Sequence, residues 1–393
     1  MKHLNYYKIS ELTGFAMENP LTRIHGCEEW MGVAENLSDI LNKKTLNNII
    51  ERLPQFDIRT LSSYKELRLA RVVLTTLAQG LIWEDLQING YAEHIPKNLA
   101  IPLYDISYHL GMKPIQTYSD TCLFNYRINE QHSPLHMSNC ELIFKMENSD
   151  DYKWFFLISL QAEFDFAKYG LKPLIQIKKA INESMGSKET FTTNIESLSK
   201  ALRVMSFTIN DMMKHVDPDV FYEKVRPFMM GWGTIGDSKP NEKKIGIILD
   251  GISEFPYNLY GPSAVESSII PSYDQILGIK HDNERSKYLM AIREYMPLEH
   301  RMFLEDLSEE SNLRTFIDEN GYDEKDPIVL AYNEAVRALG EFRSIHLKLA
   351  SRYIMIPGTK RKIKNIGTAG SDIGPFLKSL IQDTKLSKIG EST

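Results

Sequence analysis

Cysteine is scarce in this 393-residue chain, with Cys27, Cys122 and Cys140 the only three, widely spaced and without a C-x-x-C pair. That pattern suggests neither a disulfide framework nor a thiolate zinc site, and all three are expected to be reduced, buried packing residues. Long apolar runs are missing as well. No stretch approaches the ~18 to 20 residues that span a bilayer, and the opening MKHLNYYKISELTG lacks the basic and apolar blocks of a secretion signal, so the expected location is cytoplasmic, with no membrane partner. Nor does one sign of charge dominate. Lys and Arg number 46 against 52 Asp and Glu, a formal net charge of −6 with both signs interspersed, which gives no electrostatic case for binding nucleic acid or anionic lipid.

What is abundant is helical periodicity. Apolar residues recur at three and four in SSYKELRLARVVLTTLAQGLIWEDL (62–86), YKWFFLISLQAEFDFAKYG (152–170), TNIESLSKALRVMSFTINDMMKHV (193–216) and DPIVLAYNEAVRALGEFRSIHLKLASRYIM (326–355). Asp217-Pro218 and Asp326-Pro327 read as helix starts. Strand-like runs are few and short, CELIFKM (140–146) and KIGIILDGI (244–252), so the expected class is mainly α. The length allows two domains. The polar break ENSDD (147–151) is the expected boundary, separating a smaller, mostly α N-terminal unit (1–147) from a large helical unit (148–393).

One histidine stands out. In EFRSIHLKLASRYIM (341–355) the neighbours of His346 on its own helix face are Leu339, Phe342, Arg343, Leu349, Ala350 and Tyr353, while Glu341, Ser344, Lys348 and Ser351 lie opposite. The ring therefore points toward a core. It is either a hydrogen-bonded core residue or a ligand. Large apolar neighbours, a small Ala350 one turn on, and Arg343 one turn back suit a bulky, flat body with an anionic edge, which is the anatomy of haem.

Other segments have plain readings when taken singly. Phe155 and Phe221 sit in aromatic clusters that suit any helical core, and Arg226 alone reads as a surface or salt-bridge arginine. GTAGS lacks the spacing of a phosphate-cradling Walker loop, and KRKIK (360–364) reads as part of a solvated lid. His132 and His136 are four apart, but Pro134 between them argues against the helix that would bring both onto one face.

Taken in order, FRSIHLKLASRYI, the following GTAGSDIGPFL, and WFFLISL (154–160), FYEKVRPFMMGW (221–232), GPSAVESSIIPSYDQILGI (261–279) and YMPLEHRMFL (295–304) resemble the indoleamine 2,3-dioxygenase family. The resemblance runs from about residue 95 to about 380 and is strongest in the C-terminal half. It implies a haem-dependent dioxygenase inserting O2 across the indole 2,3 double bond of tryptophan to give N-formylkynurenine, the entry to tryptophan catabolism by the kynurenine pathway. By that resemblance His346 is the axial ligand to the iron of haem b, its other ring nitrogen oriented by a nearby acceptor. Arg343 and Asp274 lie by a propionate, Asp274 orienting the arginine. Phe155 and Ser159, one turn apart, line the oxygen side together with Tyr118. Ser263 and Ala264 approach the haem, with Gly261 allowing the turn. Phe221 packs on the indole, Arg226 pairs with the substrate carboxylate, and Thr368 closes over the substrate's polar end. The implied partners are tryptophan or a related indole and O2, on a monomer or weak oligomer.

Three departures from the family pattern carry expectations of their own. Ala369 and Ser371 replace a glycine and a threonine in the lid. Pro227 directly follows Arg226 and is expected to push it out of helical geometry. Pro262 and Glu266 stand where a glycine and an amide are expected, so Glu266 should add negative charge near the haem edge or need a partner. Two further readings stand beside the first: a related enzyme acting on a modified tryptophan or other indole in secondary metabolism, and a haem-binding sensor or carrier without turnover.

Overall fold

Helix starts are chemically marked. Asp326 accepts a hydrogen bond from the Ile328 N–H, and Pro327 occupies the first turn of the helix Pro327–Ala350. Ser63 and Glu66 form a reciprocal capping box on Tyr64–Trp83, and Ser149, inside the polar ENSDD break, caps Asp150–Phe166. The computed structural model describes residues 1–84, 92–183, 186–233, 246–309, 311–362 and 367–390. The expected mainly α class holds. The 193–216 segment forms Lys188–Asn210 and Met212–His215.

The two strand-like runs pair only briefly. Cys140–Leu142 lies antiparallel to Tyr126–Ile128, and Ile248–Leu249 lies parallel to His94–Ile95. All three cysteines are buried and unpaired. Among the described residues no helix is long and apolar enough to cross a membrane.

The long helix Pro327–Ala350 packs most extensively along Lys188–Asn210, and next against Ile373–Leu386. Lys188–Asn210 in turn packs on Asp150–Phe166. Among the described residues four stretches widen into π-turns: Ser119–Leu123, Ala167–Leu171, Phe221–Val225 and Ser351–Met355. Widened turns of this kind recur at functional sites because they re-aim side chains. Here one begins just after Tyr118, another begins at Phe221 and a third contains Tyr353.

Candidate active site

The helix Asp150–Phe166 presents Phe155, Ser159, Ala162 and Glu163 along one stripe, spaced at three and four. That stripe walls a cavity of about 550 Å³. The rings of Phe155 and Phe221 lie 4.7 Å apart between centroids, and Phe221 meets Tyr353 edge-on at 5.6 Å. Tyr118, Phe155, Ser159, Phe221, Arg226, Ser263, Ala264, Asp274, Arg343, His346 and Thr368, all named from the sequence, line this one cavity, whereas Gly261 and Glu266 do not. The hydroxyl of Ser159 donates back to the Phe155 carbonyl at 3.0 Å, so its proton is committed to its own helix.

Arg226 is buried, 8 % exposed, with its guanidinium 5.0 Å from the Tyr222 ring. Burial lowers its pKa from the ordinary arginine value. The expected pre-proline distortion is absent, since Arg226 keeps helical angles of φ −56° and ψ −38°. The strain is taken up by a change of helix type instead: the π-turn Phe221–Val225 ends there and the 3-10 turn Arg226–Met229 begins. Arg361 stacks on the same Tyr222 ring at 5.0 Å and pairs with Asp219 at 3.2 Å and Glu223 at 2.5 Å. Of the KRKIK stretch, Ile363 and Lys364 lie outside the described residues.

Ser263 is extended, φ −150° and ψ 147°, and Ala264 opens a short 3-10 turn. Gly261 matters here for a reason other than the turn freedom expected of it. A Cβ on Gly261 would fall 2.2 Å from the Met229 carbonyl oxygen, so the residue must be bare for two backbone strands to touch. Thr368 locks the lid to this loop: its hydroxyl donates to the Pro262 carbonyl at 2.8 Å, and the Gly261 N–H donates to the Thr368 carbonyl at 3.1 Å. The Tyr288 hydroxyl donates to the Ala369 carbonyl at 2.9 Å.

Two buried carboxyls bracket Tyr118. The Tyr118 hydroxyl donates to Glu163 Oε1 at 3.0 Å, and the Ser267 hydroxyl donates to the same oxygen at 2.8 Å. Glu163 Oε2 is buried without a partner. Burial, only partly offset by those two hydroxyls, pushes the Glu163 carboxyl up to about 7. Glu266 takes the Tyr118 backbone N–H at 2.6 Å, and its burial likewise favours the neutral form. The partner expected for Glu266 is therefore a main-chain donor from a distant segment, and its negative charge is suppressed.

His346 is half-buried, and the surface it keeps faces the cavity. Among the described residues neither ring nitrogen has a hydrogen-bond partner, so the orienting acceptor expected from the resemblance is not found there. Burial, with help from the Arg343 charge, holds the imidazole below its ordinary pKa and hence neutral, as a metal ligand must be. Arg343 directs Nη2 at both oxygens of Asp274, each at 2.7 Å. It also donates to the Thr384 hydroxyl and, at 3.4 Å, to the Leu380 carbonyl. Asp274 Oδ2 meets His281 Nε2 at 3.3 Å, while His281 Nδ1 meets Asp383 at 2.8 Å.

These residues fit a haem. One uncommitted imidazole opens onto an apolar hollow, and cationic side chains gather at one end of it. Among the described residues no cluster of three or more His, Cys, Asp or Glu could hold a metal ion, so iron at His346 needs its remaining ligands from a group such as a porphyrin. The sequence reading missed Ala162 and Glu163, although extending the 155, 159 stripe by one turn reaches both. It also missed His281 and Arg293, for which no periodic signal exists.

Fold and cavity together describe a mainly helical protein in which an uncommitted imidazole and several cationic side chains open onto one large, mostly apolar cavity, an arrangement that suits a haem-dependent enzyme. The family model described as indoleamine 2,3-dioxygenase matches residues 3–387. Indoleamine 2,3-dioxygenase 2 of Mus musculus is 33% identical over 97% of this chain and 94% of its own length. Indoleamine 2,3-dioxygenase 2 of Homo sapiens is 30% identical over 98% and 95%. A protein named myoglobin, from Haliotis madaka, is 28% identical over 97% and 98%. This chain belongs to the indoleamine 2,3-dioxygenase family, and it is an indoleamine 2,3-dioxygenase-like oxidoreductase.

Proposed function

We propose that the indole is tryptophan, that the cofactor is haem b bound through His346, and that the product is N-formylkynurenine. The observation that carries this reading is the free His346 imidazole sharing one cavity with the Phe155–Phe221 pair and the buried Arg226. A bound haem would supply the electron-sharing centre that lets triplet oxygen react with a closed-shell indole.

The chain's own task is placement. Phe155 and Phe221 hold the indole plane, and Arg226 fixes its depth by a paired contact to the substrate carboxylate. That contact gains strength where water is excluded, and the Thr368–Pro262 latch closes the polar end. Ser159 acts as a polar contact rather than a base, its proton being donated to Phe155 O. Tyr118 shapes the wall while its hydroxyl is held by Glu163. Ser263 and Ala264 offer a thin, small-residue edge to the haem, and Arg343, steadied by Asp274, faces a propionate. We further infer a cytoplasmic monomer or weak oligomer, and a division of the chain at residues 147/148, where Ser149 caps the first helix of the larger unit.

The myoglobin-named relative favours a second reading, haem binding without turnover. One experiment separates the two. Purified protein and its His346→Ala variant are compared by visible spectrum, and tryptophan is then added to the reduced protein in air. A Soret band lost in the variant, with formylkynurenine formed by the parent, is expected. A Soret band without product points to a carrier, and product from a modified tryptophan or other indole alone points to the related-enzyme reading. No Soret band in protein from haem-replete cells refutes the proposal.

A further inference from the structure

The polar end of the cavity has more cations than its internal pairs require. Arg343 is committed to Asp274. His281, whose side chain is 8 % exposed, lies between Asp274 and Asp383, and Asp383 is also held by Arg285 at 2.8 and 3.0 Å. Arg293 ends the helix Asn283–Arg293 and lines the same cavity. It is half-buried and lies within electrostatic reach of Asp274 and of Glu305, which does not line the cavity, yet among the described residues its side chain makes no hydrogen bond and no ion pair. Lys280, exposed at the rim, also lines this end. With Lys280, Arg293 and Arg343 set against Asp274 alone, the lining of this end carries a formal surplus of two positive charges with His281 neutral.

A half-buried guanidinium without a hydrogen-bonding partner has lost part of its hydration, and the Asp274 and Glu305 charges within reach do not fully replace it. Its planar fork of donors is shaped for a carboxylate. We propose that Arg293 is a second propionate-binding residue of this cavity, taking one of the two propionates of the haem while Arg343 faces the other. The inference rests on the haem reading above and adds to it a residue that no sequence motif marks. The surplus of two matches the charge of the two propionates, and Asp274 serves to hold Arg343 rather than to neutralise both arginines.

The test uses full-length protein, haem, and haem dimethyl ester, in which both carboxylates are blocked. Release of each compound to a scavenging apoglobin is followed by the Soret band for the wild type, Arg293→Gln and Arg293→Lys, alongside thermal melts of the haem-free proteins. Arg293→Gln should release haem roughly tenfold faster, the scale of one charge-assisted contact, while its release of the ester matches wild type. Arg293→Lys should fall between, and the haem-free Gln variant should melt no lower than wild type, since an unpartnered cation has been removed. If Arg293→Gln releases haem and ester as wild type does, the proposal is wrong. It is equally overturned if the variant loses both compounds faster to the same extent and its haem-free form melts lower, because that is a structural role. Wild-type protein that takes up neither compound refutes the haem reading and this inference together.

Discussion

Replacing Asp274 by asparagine keeps the shape of the side chain and removes its charge, leaving Arg343 buried beside a neutral amide. The side chains of Arg343 and Asp274 are 5 % and 11 % exposed, and their closest atoms are 2.7 Å apart. An exposed pair of this kind contributes about 0 to 1 kcal/mol, whereas removing one partner of a buried pair costs about 3 to 5 kcal/mol because the other charge is stranded. Arg343 keeps its contacts to Thr384 and the Leu380 carbonyl, which puts the expected loss near the lower end, about 3 kcal/mol. Urea unfolding of the haem-free protein, followed by far-ultraviolet circular dichroism, reads this as a lower midpoint at unchanged slope. A double variant, Asp274→Leu with Arg343→Met, should be less destabilised than Asp274→Asn, since two apolar groups strand no charge. A loss for Asp274→Asn below about 1 kcal/mol, or a double variant less stable than Asp274→Asn, would show that water reaches the pair and that Asp274 does not hold Arg343.

Three further outcomes are expected. Burial pushes the Glu163 carboxyl from its ordinary value of 4.5 up to about 7 in the folded chain, so the fold holds that proton more tightly and loses stability as pH rises from about 4.5 to about 7. Glu163→Gln should remove that decline and be more stable than wild type at pH 8 by up to about 3 kcal/mol, with little difference at pH 4; equal pH profiles by urea titration would count against a buried, under-solvated carboxyl. For His281, burial lowers the pKa but the Asp274 and Asp383 carboxylates outweigh it and the net shift is upward despite the nearby Arg343 charge. Its contribution is full below about pH 6.5 and fades as pH rises through the raised folded value, so His281→Gln should cost more stability at pH 6 than at pH 9. Gly261→Ala must open the Met229–Gly261 approach, where the added methyl would sit 2.2 Å from the Met229 oxygen. It should destabilise by about 2 kcal/mol or more and weaken haem uptake by moving Ser263, while Gly32→Ala, which meets nothing within 4 Å inside the helix Glu28–Glu35, serves as the control and should be neutral or stabilising.

Periodicity and capping chemistry made the helices legible. Asp217, Asp326 and the His346 face are local facts, decided within one or two turns. The pocket was legible for a different reason, since residues dispersed from 118 to 368 acquire meaning only when several segments are read in order. What stayed hidden needed the return path of the chain. Glu266 looked like an unwanted charge because its partner, the Tyr118 N–H, is 148 residues away. Arg226 looked kinked because the rule for residues before proline knows nothing of a π-turn that ends there and a 3-10 turn that takes over. Glu163 shares the stripe of Phe155 and Ser159, yet a carboxylate is read as solvated by default, and only the Tyr118 and Ser267 hydroxyls converging on one of its oxygens reveal the opposite.

Arg293 marks the limit of local reading. In sequence it is an unremarkable basic residue in the last turn of a polar helix, where it would normally be explained by the helix dipole. In the fold that explanation is incomplete, because its side chain lines the cavity beside an Asp274 already bonded to Arg343. A motif identifies residues by what lies next to them in the chain. A cofactor's charge is balanced by whatever the fold brings to its edge, so the cations that answer it need share no spacing, and counting them against their protein partners finds what pattern matching passes over.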